Sequence, residues 1–132
     1  MNNQHKGDYS ELRVAGALMR LGWQVSFPYM EEGQYDLVAE KDGEFIRVQV
    51  KSSVYRDGGI NFSCYNSQSA KGSGSATHYT SDDIEGIAVY NHTTSQCYWV
   101  PIDAANKWKM RLNEEEGSKN PASEYILEEQ FP

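Results

Sequence analysis

Tyr35-Asp36-Leu37-Val38-Ala39-Glu40-Lys41-Asp42-Gly43-Glu44-Phe45-Ile46-Arg47-Val48-Gln49-Val50-Lys51 is the stretch that decides the fold. Two runs rich in β-branched and aromatic residues flank Asp42-Gly43, the strongest short-range signal for a β-hairpin. A two-residue turn there pairs Lys41 with Glu44 and sets Asp36 opposite Gln49, with Cβ atoms about 5 Å apart. A four-residue turn keeps this pairing; a three-residue turn or a bulge breaks it. Strand alternation sends Ile46, Val48 and Val50 to one face and Arg47, Gln49 and Lys51 to the other, which Asp36 shares. The aliphatic face demands a core. The polar face gathers a carboxylate, an amide oxygen and an ammonium, a set suited to Mg²⁺ and a phosphate, since Mg²⁺ takes one or two carboxylates and leaves its other positions to water and phosphate oxygens. Spacing alone equally allows a surface hairpin with solvated polar residues.

Upstream, Val14, Leu18 and Leu21 recur at i, i+4 and i+7, with Leu12, Ala15 and Met19 widening the stripe. This predicts a helix from about Asp8 to Leu21. Asp8 reads as the N-cap, Glu11 completes a capping box, and Gly22 follows at the C-terminal end. Glu11 lies on the inward side of this helix. Capping explains it fully; the functional alternative aims it at Asp36.

These residues resemble the PD-(D/E)XK nuclease superfamily. The similarity starts at Lys6-Gly7 and Glu11, and passes through Gly22 and Val25-Ser26-Phe27-Pro28 to Tyr35-Asp36-Leu37-Val38 and Val48-Gln49-Val50-Lys51-Ser52-Ser53. It continues through Gly59-Ile60-Asn61-Phe62, Tyr79, Asp83-Ile84-Glu85, Ile87-Ala88-Val89-Tyr90 and Tyr98-Trp99-Val100-Pro101, covering roughly residues 6–112. The later pieces are similar to group I intron homing endonucleases and relatives of archaeal Holliday junction resolvases. The resemblance implies an α/β (α+β) fold with a restriction-endonuclease-like core, a mixed central β-sheet flanked by helices. It implies catalytic roles for Glu11, Asp36, Gln49 and Lys51. Asp36, Gln49 and the Val50 backbone carbonyl would hold Mg²⁺, or Mn²⁺ in its place, with Glu11 acting through water. Gln49 stands where most members carry Glu or Asp, which lowers the charge of the site; the homing subgroup uses Gln there. Tyr35 replaces the motif's proline. The expected DNA contacts are Lys6, Arg47, Ser52, Arg56 and Lys71. Cleavage of duplex or branched DNA would leave a 5′-phosphate and a 3′-hydroxyl. Because one site cuts one strand, a homodimer or homotetramer is expected. The alternative is a catalytically silent DNA-binding or assembly module that keeps the nuclease fold.

At 132 residues the chain is long enough for one domain with one core. A net charge of −7 argues against non-specific coating of nucleic acid. It leaves a nuclease open, because the local field decides. The acidic runs Asp82-Asp83-Ile84-Glu85, Glu114-Glu115-Glu116 and Glu124 to Glu129 read as solvated faces. No long apolar run or charged-then-apolar leader occurs, so neither a membrane span nor a signal peptide is expected. Cys64 and Cys97 have no metal or redox spacing, and His5, His78 and His92 are scattered. A reduced, cytoplasmic setting, prokaryotic or phage-encoded, is the expectation.

Gln24 to Pro28 and Gly59 to Ser63 read as short strands, and Met30 to Gln34 as a loop. Cys64 to His78, centred on Lys71-Gly72-Ser73-Gly74-Ser75, predicts a mobile Ser/Gly-rich loop beside the site. Tyr55, Tyr65 and Tyr79 flank it, suited to packing or to contact with sugar and base. Gly86 to Tyr90 and Gln96 to Val100 predict a second hairpin. Asp103 is expected to cap a helical turn over 104–106, and Trp108 to Leu112 to form a strand with a basic face. Asn120-Pro121 reads as the start of a helix to about Gln130.

Overall fold

The computed structural model describes residues 1–30, 32–66 and 77–132. Helix α1 (Asn3–Arg20) precedes strands β1 (Gln24–Ser26), β2 (Leu37–Lys41), β3 (Glu44–Ser53), β4 (Tyr55–Arg56), β5 (Gly59–Ser63), β6 (Tyr65–Asn66), β7 (Thr77–His78), β8 (Gly86–Asn91), β9 (Gln96–Pro101) and β10 (Lys109–Asn113). A short helix α2 (Leu127–Gln130) ends the chain. The main sheet runs β1-β2-β3-β8-β9. Only β3 and β8 are parallel in it, so the sheet is mixed; the crossover between them carries β4 and β5, which β10, arriving after β9, joins in a smaller sheet ordered β10-β5-β4.

The hairpin has the expected register, from Lys41↔Glu44 to Leu37↔Val48. Asp42 (φ 52°) and Gly43 (φ 81°) both hold positive φ, as the favoured two-residue hairpin turn requires. Pairing stops at Leu37, and Asp36 leaves the ladder. Its N–H donates to the Val48 carbonyl (2.8 Å), one residue short of the register that would set it squarely against Gln49.

Two cores lie on opposite faces of the main sheet. On one, Val14, Ala15 and Leu18 of α1 pack on Leu37, Ala39, Ile46, Val48, Val50, Ala88, Tyr90 and Trp99. On the other, Ile87, Val89 and Val100 meet Ile60, Phe62, Met110 and Leu112 of the small sheet. β8 is therefore buried along its whole length. Gly86 in this strand lies so close to β9 that a Cβ would stand 2.5 Å from the Trp99 ring.

Four expectations change. Helix α1 starts five residues before Asp8, because Asn2 caps it by accepting from the His5 N–H (2.9 Å). Asp8 is thus mid-helix, and it accepts from Gln4 Nε2 (3.0 Å). Leu12 and Met19 do not widen the buried stripe; each is 63% exposed. The turn after β9 is a 3₁₀ turn at Ile102–Ala104 rather than a helical turn over 104–106. The C-terminal helix is broken into a 3₁₀ turn (Ala122–Glu124) and α2. Between them Tyr125 accepts from the Trp99 N–H (2.7 Å) and Ile126 bridges Tyr98, so pairing to the edge of β9 displaces helix there. Of the expected mobile loop, the ends pair as β6 and β7. Its centre, with Lys71, lies outside the described residues.

Candidate active site

β2 begins only at Leu37, opposite Val48, while β3 runs on to Ser53, so the last residues of β3 present an open edge on that side. Asp36 fills the first part of it. Its Oδ2 accepts from the Val50 N–H (2.9 Å). Within a strand a residue's N–H and C=O point to the same edge. The Val50 carbonyl therefore faces the space beside the Asp36 carboxylate, and Gln49 Nε2 stands 3.5 Å from that carbonyl.

This edge opens into a cleft of about 670 Å³ lined by Asp8, Glu11, Glu32, Asp36, Gln49, Gln34, Asn66 and Tyr79, with Phe27, Pro28 and Met30 on one wall. Glu11 arrives from α1, at i+7 from Gln4 and i+3 from Asp8, which line the same wall. Gln34 and Asn66 close the far side through a 2.6 Å hydrogen bond. Four carboxylates and no Lys or Arg line the cleft among the described residues.

Lys51 lies behind this lining. Its Nζ donates to the Tyr65 carbonyl (3.2 Å) and stands 5.4 Å from the centre of the Tyr79 ring. Burial pushes the Lys51 ammonium below the ordinary lysine range, against the opposing charge of Asp36. Burial also raises the Asp36 carboxyl, against the Val50 N–H and the charge of Lys51. Both groups are held where their charged forms are disfavoured, a condition common at functional sites.

Among the described residues, no three His, Cys, Asp or Glu side chains converge on a metal position. The donor set available is of another kind: one buried carboxylate, a strand carbonyl, a side-chain amide and a second carboxylate across the cleft. Hard oxygen donors few enough to leave positions for water and phosphate fit Mg²⁺. A cation there would favour the charged form of Asp36, which burial disfavours.

The other expected contacts do not share this space. Ser52 Oγ donates to the Lys6 carbonyl (3.3 Å) and lies 2.6 Å from Ser10 Oγ, which in turn is 3.0 Å from His92 Nε2. Lys6 and Ser52 thus sit together, along a different line of α1 from Gln4, Asp8 and Glu11. Arg47 is held by Glu85, with Nη2 2.5 Å from Oε2, and it also donates to the Asp82 and Ser81 carbonyls (2.8 and 3.1 Å). Its guanidinium is committed to the loop before β8. Arg56 is exposed on β4, and its carbonyl accepts from Arg111 (3.0 Å). Sequence reasoning missed Gln4, Asp8, Gln34 and Asn66 as cleft residues. The 3.6-residue period carried the signal for Asp8, three positions before Glu11.

A family profile described as PD-(D/E)XK endonuclease matches residues 1–129. The chain superposes on the bacterial homing endonuclease I-Ssp6803I with a TM-score of 0.77 at 20% identity, over 96% of this chain and 89% of that one. Hjc, a Holliday junction resolvase from the archaeal hyperthermophile Archaeoglobus fulgidus, aligns with a TM-score of 0.52 at 14% identity, over 83% of this chain and 84% of the other. At those identities the likeness is one of fold. Protein 5.3 of Escherichia phage T7 is 41% identical over 55 residues, which span 41% of this chain and about half (47%) of the phage protein. With the profile covering nearly the whole chain and the restriction-endonuclease-like sheet in place, the chain belongs to the PD-(D/E)XK endonuclease family.

Proposed function

We propose that this protein is a Mg²⁺-dependent DNA endonuclease that hydrolyses one phosphodiester per site. The observation that carries this reading is the open edge of β3, where Asp36, Gln49 and the Val50 carbonyl face an acidic cleft with Lys51 behind it. Asp36, the Gln49 amide oxygen and the Val50 carbonyl would hold the ion, with Glu11 reaching it through water. When bound, the ion lowers the pKa of a water and polarises the phosphoryl oxygen.

The protein's own groups do the rest. The Val50 N–H fixes the Asp36 carboxylate so that its free oxygen faces the cleft. Tyr65 and Tyr79 hold the Lys51 ammonium short of the substrate, poised to orient the attacking water or to stabilise negative charge on the phosphorus oxygens. Glu11, on a rigid helix, orders water across the cleft. The products would be a 5′-phosphate and a 3′-hydroxyl. Two sites are needed for a duplex or a junction, so the active form in this reading is a homodimer or homotetramer.

Gln49 favours a second reading, a silent DNA-binding module, because a neutral amide holds Mg²⁺ less tightly than a carboxylate. One assay separates the two. Labelled linear duplex, supercoiled plasmid and four-way junction DNA are incubated with Mg²⁺ or Mn²⁺, beside a Lys51→Ala control. Metal-dependent cutting absent from the control is the expected result. Binding without cutting on every substrate would move the assignment to the silent module.

A further inference from the structure

Where α1 meets the ends of β3 and β8, a chain of hydrogen bonds fixes the protons of one histidine. The chain ends on the Lys6 carbonyl, which only accepts, so the Ser52 hydroxyl donates to it (3.3 Å). Ser52 Oγ, its own proton used, then accepts from the Ser10 hydroxyl (2.6 Å), and Ser10 Oγ accepts from His92 Nε2–H (3.0 Å). Neutral His92 therefore carries its proton on Nε2 and a lone pair on Nδ1, and a second proton enters at Nδ1 without breaking the chain. The ring is held in place. It stacks beside Tyr9 and stands edge-on to Tyr90, with 4.8 Å between the latter centres, while its backbone N–H donates to the Ser53 carbonyl (2.9 Å). Ser10, at the middle of the chain, is fully buried.

Lys6 is the charge that acts on this ring; Arg13 lies beyond Tyr90, 5.3 Å over its ring, and Tyr9 and Tyr90 are the other titratable groups packed on the imidazole. Burial first, and then the Lys6 ammonium, hold the imidazolium below the ordinary histidine value, a cost that an arriving anion reverses. Among the described residues neither the Lys6 ammonium nor His92 Nδ1 has a hydrogen-bond partner. Ser52 stands two residues beyond Val50 on β3, about 6.6 Å along the strand, which matches the step between neighbouring phosphates of one DNA strand. We infer that the Lys6 ammonium and the Nδ1–H of the His92 imidazolium together take the DNA phosphate next to the scissile one, so that binding DNA draws a proton from the buffer onto His92. Affinity then grows as pH falls through the histidine's value in the complex and levels off below its value in the free protein. This rests on the nuclease reading for the DNA and for the position of the scissile phosphate. It goes beyond that reading in adding His92 to the DNA contacts and in making binding depend on pH.

The test uses the Lys51→Ala protein with Mg²⁺ and whichever of the three DNAs of the cleavage assay binds most tightly, at fixed ionic strength. Anisotropy between about pH 8 and about pH 5.5 reads affinity, and calorimetry in two buffers of different ionisation heat reads the protons taken up. Over that range the parent's affinity should rise about tenfold more than that of His92→Gln, which keeps a donor for Ser10 but cannot titrate, and the variant should lose the proton uptake. His92→Asn, with a neutral donor at the Nδ1 position, should bind between the two and take up no proton either. Lys6→Met should lower the slope of log affinity on log salt by about 0.9, while Arg20→Met, the same loss of charge in the last turn of α1, should leave the slope unchanged. Proton uptake that persists in both His92 variants, or equal slopes in Lys6→Met and Arg20→Met, overturns the inference even if the wild type cuts DNA. Equal proton uptake on binding inorganic phosphate alone also overturns it, by assigning the pair to a free anion. The expected binding effects without cutting by the wild type sink the nuclease reading and leave the phosphate contact standing; no binding to any of the DNAs overturns both.

Discussion

β3 carries two oppositely charged pairs on one face, and they are built in opposite ways. Near its start, Arg47 and Glu85 stand 2.5 Å apart, half-exposed, with further hydrogen bonds to the backbone. Arg47 holds the Glu85 carboxyl below its ordinary value, and Glu85 raises the arginine. Near the other end, Asp36 and Lys51 feel each other's charge, yet desolvation outweighs it in both. The first pair favours its charged forms and ties the loop before β8 to the strand. The second is held against its charges at neutral pH. Only one of them is organised as a stabilising contact; the other is the pair on which the proposed mechanism relies.

The largest expected effect tests that contrast directly. Lys51→Met and Asp36→Asn should each lower cleavage by about a hundredfold or more, the scale of removing one group that stabilises developing charge. Neither should lower the melting temperature. The signs agree: the stability tied to Asp36 is fully present below its unfolded pKa and lost as pH rises through its raised folded value, and that tied to Lys51 is lost as pH falls through its lowered one. At neutral pH both charges are therefore costs. The amide oxygen introduced by Asp36→Asn would still accept from the Val50 N–H. A clear drop in melting temperature in either variant would break the comparison.

Gln49→Glu comes next. A second carboxylate beside Asp36 should tighten Mg²⁺ binding about tenfold, the scale by which ligand changes alter metal affinity. Isothermal titration of metal into the free protein reads it. Unchanged affinity would remove Gln49 from the ligand set.

At the opposite pair, Arg47→Ala should leave cleavage within about twofold and lower stability by about 1 kcal/mol, since the pair is partly exposed and the loss lies mostly in the carbonyl contacts. Chemical denaturation checks the second number. A large loss of cleavage with normal DNA binding would give Arg47 a role at the reacting phosphate.

Much of this was readable from the chain. The hairpin register follows from Asp42-Gly43, and with it the split of β3 into an aliphatic and a polar face. What sequence could not supply depends on partners far along the chain. Arg47 reads as a DNA contact until Glu85, 38 positions later, is brought beside it by the parallel β3–β8 pairing. Asp8 reads as an N-cap because nothing local shows that Asn2 takes that role. The helix expected after Asn120 fails at Tyr125 and Ile126, where the edge of β9 competes for the backbone. Pattern reached the local periods; tertiary competition for the same backbone groups decided the rest.

The smallest effect is in the pH profile, and it is the sharpest test of the site. Metal binding needs the Asp36 carboxylate deprotonated. Burial raises that carboxyl, so at low Mg²⁺ the acid limb of cleavage should lie above the ordinary aspartate value of about 3.9. Because the ion competes with the proton, higher Mg²⁺ should move the limb to lower pH. Lys51, lowered by burial, should give an alkaline limb below the ordinary lysine value of about 10.4, and this limb should ignore Mg²⁺. The Arg47–Glu85 pair predicts the contrary: Glu85, held low, titrates below the ordinary glutamate range, and its contribution to stability is lost only as pH falls through that lowered value. An acid limb that stays fixed as Mg²⁺ is raised would take Asp36 out of the metal site, whatever the cleavage of the substituted proteins showed.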